Sequence, residues 1–108
     1  MASINNEQLL LLAGADTQQM KKIVSDFRED ASSTISNCEV AARSEDLDGC
    51  KKLIHRLKGS SGSLGFSDLY ETCLDLEKNG SCDSYLRNID RLESLVGESV
   101  DLALGLLD

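Results

Sequence analysis

The chain has one histidine, His55, and it lies in the one stretch where basic residues gather. Lys51, Lys52, Arg56 and Lys58 are four of the eleven basic residues and fall within eight positions, and no acidic residue occurs between Asp48 and Asp68. An imidazole titrates near neutrality and is a nucleophile when neutral, and nearby cations disfavour its protonated form. A phosphoryl group on the ring would carry about two negative charges, and Lys58, one turn along a helix, is placed to offset them. Lys51 and Lys52 either add to that field or are simply solvated. No other reactive set competes: there is no Gly-rich phosphate loop, and no His–carboxylate pair is arranged to activate Ser60, Ser61 or Ser63.

A helix must carry this histidine. Residues turn by roughly 100° per step, which puts His55 opposite an apolar stripe of Leu47, Cys50, Leu53 or Ile54, Leu57, Ser61 and Leu64. Its own face holds Lys51, Lys52, Lys58, Gly59 and Gly62, the positions three, four and seven residues away. Glycine inside a helix costs about 1 kcal/mol relative to alanine, yet both glycines flank the histidine in Gly59-Ser60-Ser61-Gly62-Ser63. The return is access: without side chains there, a partner surface can approach the imidazole closely.

Further helices supply the frame. Asn5 or Asn6 caps a short first helix that Gly14 stops, and Asp16 or Thr17 caps a long second one that ends near Arg43. The second repeats Met20, Val24, Phe27, Ala31, Ile35, Cys38 and Ala42 on one face. The histidine helix follows the acidic turn around Asp46 and stops at Gly65. Ser67 caps a fourth helix with Leu69, Cys73 and Leu76 inward, ended by Asn79-Gly80. A fifth starts near Asp83 and repeats Tyr85, Ile89, Leu92, Val96, Ser99, Ala103 and Leu107, a near-heptad seam suited to antiparallel packing. The predicted fold is all-α: an antiparallel up-down four-helix bundle with a short extra N-terminal helix, one domain over 1–108. Proline is absent and aromatics are two Phe and two Tyr, so the core is aliphatic.

Composition excludes several functions. A net charge of −8 disfavours general nucleic-acid binding. The apolar run Leu9 to Ala13 is too short to span a membrane. Cys38, Cys50, Cys73 and Cys82 stand too far apart for zinc-type pairing. They read as free thiols in a reducing cytoplasm, with Cys82 the most exposed. No signal-peptide pattern opens the chain.

The segment His55-Arg56-Leu57-Lys58-Gly59-Ser60-Ser61-Gly62-Ser63-Leu64-Gly65 resembles the H-x-L-K-G-S/A motif of histidine-containing phosphotransfer (HPt) domains, with their small-residue run and terminal glycine. The helical layout is similar over nearly the whole chain. The resemblance implies that His55 accepts a phosphoryl group from a receiver-domain aspartate and passes it on through Nε2, with Lys58 as the family's lysine. It also implies that Glu77, on the next helix, holds Nδ1 and orients the ring. Lys51, Lys52, Gly59 and Gly62 then border the docking surface for receivers of response regulators and hybrid kinases. No cofactor or metal is expected on this chain, since Mg2+ belongs to the receiver. The expectation is a monomeric cytoplasmic carrier without an ATP site of its own. Met1 and the length favour a free-standing protein over a piece of a hybrid kinase. The alternative is a helical adaptor in which His55 is incidental.

Overall fold

The structure, a computed structural model, describes residues 2–108. Five helices follow one another: α1 (Asn6–Ala13), α2 (Thr17–Arg43), α3 (Leu47–Leu64), α4 (Ser67–Asn79) and α5 (Cys82–Leu107). Short joints make consecutive helices from α2 to α5 run antiparallel. In the four-helix bundle α2 packs on α3 and α5, and α4 packs on α3 and α5, while α1 touches α2, α3 and α5. At about 1.5 Å per residue the longest helix spans ~40 Å, which sets the 45 Å long axis.

The expected faces are the buried ones. Along α2 the buried set is Met20, Val24, Phe27, Ala31, Ile35, Cys38 and Ala42, joined by Thr34. The Thr34 hydroxyl satisfies itself by donating to the Asp30 carbonyl at 2.9 Å. On α3 the inward residue of the Leu53/Ile54 pair is Ile54, and Leu47 is only half-buried. On α5 the seam widens to include Leu95 and Val100. Burial of this aliphatic surface is the main driving force for the fold.

The caps show how the sequence writes the joints. Asn5, Asp16 and Asp46 each accept the backbone N–H three residues on, opening α1, α2 and α3. Ser81 and Ser84 form a reciprocal capping box, so α5 begins at Cys82 rather than at Asp83. The start of α4 differs from expectation: Ser67 is already helical, and the preceding residue is Phe66, which makes no side-chain cap. Gly65 explains this. Its φ of 78° closes α3 in a left-handed turn, which drives Phe66 straight into the core, edge-on to Phe27 with ring centroids 5.2 Å apart.

The end of α2 uses the same left-handed device without a glycine. Glu45 has a φ of 58°, and the Asp46 N–H returns to the Ala41 carbonyl at 2.9 Å. A side chain there costs on the order of 1 kcal/mol. Glu45→Gly is therefore expected to stabilise the bundle by up to about 1 kcal/mol in urea titration, less the extra chain entropy that glycine brings to the unfolded state. An unchanged or lowered midpoint would show that the turn is not strained.

Candidate functional site

The apolar face of α3 docks into the bundle and leaves His55 outside, its side chain 67% exposed. The ring is not free to spin. His55 Nδ1 lies 2.5 Å from Glu77 Oε2, reaching from α3 to α4. A carboxylate can only accept, so in the neutral tautomer that this contact favours Nδ1 carries the proton and Nε2 keeps its lone pair. Glu77 is oriented in turn: its other oxygen accepts from Lys58 Nζ at 2.5 Å. One carboxylate thus joins the two α3 side chains that flank its approach.

The electrostatics agree from both ends. The Glu77 carboxyl is held below the usual carboxylate range, chiefly by the hydrogen bond from Lys58 and then by His55, against some desolvation. The Lys58 ammonium is pushed up, chiefly by its bond to Glu77. The Lys58 ammonium thus forms an ion pair with Glu77 across α3 and α4. The remaining basic residues scatter. Arg56 turns toward α2 and pairs with Asp30 at 2.6 Å. Lys52 is exposed and Lys51 half-buried, and neither makes an ion pair among the described residues.

The two glycines part company. Gly59 is exposed, and a Cβ built on it would meet nothing within 4 Å. Gly62 does not fit the expectation of open access: its Cβ would stand 3.0 Å from Tyr70 Cδ1 and 3.2 Å from Cε1. The α4 side chain already covers that position, so Gly62 serves close helix packing. The serines fold back onto their own helix. Ser61 donates to the Leu57 carbonyl at 2.6 Å and Ser63 to that of Gly59 at 3.0 Å, which leaves neither hydroxyl directed at the ring.

Sequence reasoning did not find the N-terminal clamp on this helix. Gln8 Nε2 donates to the Gly62 and Ser63 carbonyls in the last turn of α3 at 2.8 and 3.0 Å, adding to the N–H of Gly65 that the Gly62 carbonyl also accepts at 3.2 Å. The Asn5 N–H donates to the Gly65 carbonyl at 2.7 Å. The clamp helix exposes Leu10, Leu11 and Leu12. Nothing local marks Gln8 for this work, because its partners lie more than fifty residues away. Among the described residues no three His, Cys, Asp or Glu side chains are gathered to hold a metal ion, and no helix is long and apolar enough to cross a membrane.

Comparison with known proteins agrees with this geometry. The family model of the Hpt domain matches residues 22–101, which takes in His55, Lys58 and Glu77. Multistep phosphorelay regulator 1 of Schizosaccharomyces pombe is 33% identical over 99 residues, covering 91% of this chain and 32% of that protein. The chain thus spans about a third of the length of the curated relative it matches. No solved structure matches it. The match of the family model over residues 22–101, most of the chain, shows that the chain belongs to the Hpt domain family.

Proposed function

We propose that His55 Nε2 takes a phosphoryl group from the aspartyl phosphate of one receiver domain and gives it to the aspartate of another. The observation that carries this reading is the exposed imidazole whose inner nitrogen is held by Glu77. In the forward step the Nε2 lone pair forms the N–P bond as the bond from phosphorus to the aspartate oxygen breaks, and the aspartate leaves as a carboxylate. The Nδ1 proton stays on the ring beside Glu77, whose negative charge offsets the positive charge gained by the phosphorylated imidazole. Lys58, bound to the same carboxylate as His55, offsets the charge of the new phosphoryl oxygens in this reading. Lys51, Lys52 and the open surface at Gly59 border the receiver. No step uses ATP, and the receiver brings its own Mg2+, so the chain works as a carrier. We place it in the cytoplasm as a monomer; its four free thiols suit a reducing compartment.

Mixing the protein with a phosphorylated receiver tests the reading. The expected product is a phosphohistidine, labile to acid and stable to alkali, at His55. An adaptor that only binds the receiver would return unlabelled protein.

The shared carboxylate gives a second expectation. A carboxyl held below its ordinary range contributes stability and ring orientation at neutral pH, and both are lost as pH falls through its lowered pKa. Lys58→Ala removes the largest cause of that lowering. The Glu77 carboxyl should then titrate at higher pH by carbon NMR, and transfer from a phospho-receiver should slow about tenfold with the acid limb of its pH profile moved up. Glu77→Ala should also slow transfer, through a loosened ring. An unmoved Glu77 titration together with parent rates would remove Lys58 from the site.

A further inference from the structure

His55 stands between two cation–carboxylate pairs, one reaching to each neighbouring helix. On the α4 side Lys58 pairs with Glu77, and both side chains are largely covered, at 18% and 24% exposed. On the α2 side Arg56 Nη2 donates to Asp30 Oδ1 at 2.6 Å, and that pair is open to solvent, at 63% and 48%. The surface of α3 divides in the same way. Lys51, Lys58 and Gly62, on the Lys58 side of the histidine, are half-buried, whereas Lys52, His55, Arg56 and Gly59 form one exposed face. A partner that reaches the imidazole across that face passes over Arg56.

Two properties separate Arg56 from the other cation there. Its planar guanidinium presents a fork of N–H donors that matches a carboxylate, whereas an ammonium such as that of Lys52 attracts any anion as a point charge. Asp30 engages the guanidinium through Nη2, which fixes where the fork points while Nε and Nη1 keep donors of their own. Support of the fold is a poor account of this pair, because an exposed ion pair contributes little to stability.

We propose that Arg56 is a specificity-determining residue of the transfer reaction: aimed by Asp30, its guanidinium binds a carboxylate on the receiver beside the phosphorylated aspartate. The chain thereby selects receivers that present an acidic residue at that place. This rests on the receiver-transfer reading above. With a net charge of −8 the chain repels acidic surfaces over most of its own, so a guanidinium next to the reacting nitrogen is a discriminating contact. The bond is charge-assisted and closes as the partners meet, away from the Nε2 atom that forms the bond to phosphorus. It therefore governs docking and leaves the rate within the complex alone. Asp30 is a positioning residue that acts through Arg56.

A panel of isolated receiver domains loaded with acetyl phosphate provides the test, with single-turnover transfer followed at increasing receiver concentration. Arg56→Ala should raise the half-saturating concentration about tenfold, as for the loss of one charge-assisted hydrogen bond, with the plateau rate and the thermal melt unchanged. The factor should be large for receivers that the parent binds tightly and small for those it binds weakly. Arg56→Lys should recover part of the loss. Asp30→Ala should raise the same concentration by a smaller factor, and the double variant should equal Arg56→Ala alone. A lowered plateau, additive losses, one factor across the whole panel, or an equal loss with Lys52→Ala would overturn the assignment. Calorimetric titration of the unphosphorylated receivers keeps the two readings apart. A parent that binds but takes no label counts against transfer alone, and an Arg56→Ala variant that binds as the parent does counts against Arg56 alone.

Discussion

His55→Gln is expected to fold as the parent does and to accept no phosphoryl group at all. The fold half rests on exposure. The imidazole is 67% exposed, and an exposed substitution of this kind changes stability by no more than about 0.5 kcal/mol. Glu77 keeps its stronger partner in Lys58, so the change strands no unpaired carboxylate. Glutamine is also a good helix former, and α3 continues unbroken. The chemical half rests on the lone pair. A glutamine side chain ends in an amide whose nitrogen lone pair is delocalised into its carbonyl, so it donates hydrogen bonds but does not attack phosphorus. Nor does another group take over, for this is the only histidine and the hydroxyls of Ser61 and Ser63 are spent on carbonyls of their own helix. Superimposable thermal melts with no label transferred from a phospho-receiver are the expected pair of results. Full labelling of the variant would move the acceptor to another residue, and loss of folding would mean the ring has a structural duty that its exposure hides.

What could be read from the sequence about this site divides by the range of the interaction. The outward direction of His55 follows from helical spacing within α3 alone, because the Cys50, Leu57 and Leu64 stripe fixes which side is inside. The inward faces of α2 and α5 follow for the same reason. The stop at Gly65 is equally local, needing only three or four residues. The Nδ1 partner lies on another helix, and resemblance supplied Glu77 where spacing could not. The long-range contacts were not legible. Gln8 has no periodic or capping signature, and only the docking of α1 across the end of the bundle shows that its amide closes two carbonyls of α3. The resting partner of Lys58 depends on the distance between α3 and α4, which no one-helix argument contains. Gly62 looked like Gly59 for the same reason. Both are costly mid-helix residues on the histidine's face, and only the position of Tyr70 on α4 separates the one that admits a neighbouring helix from the one that faces solvent.

That separation makes Gly59→Gln and Gly62→Gln opposite experiments on one helix. At Gly59 the new Cβ meets nothing within 4 Å, so the bundle should gain up to about 1 kcal/mol, because glutamine replaces glycine in a helix interior. The side chain then stands one turn from His55, on the side from which a receiver must bring its aspartyl phosphate. Reacting atoms have to come within roughly 3–3.5 Å in line, and an offset near 1 Å can cost about 100-fold. Transfer from the receiver is accordingly expected to fall by about that factor, with weaker binding, while a small phosphodonor such as phosphoramidate still modifies His55 at the parent rate. At Gly62 the first carbon already presses on the Tyr70 ring at 3.0 Å. There the expected loss is in stability, by about 1–3 kcal/mol for overpacking a helix contact, with α4 and the Glu77 it carries displaced from the histidine. Thermal melts, receiver titrations and rapid-quench transfer on the two variants read these effects separately. Parent-rate transfer by Gly59→Gln would place the receiver on another face of α3. Unfolding of that variant would give Gly59 the packing duty that the geometry assigns to Gly62 alone.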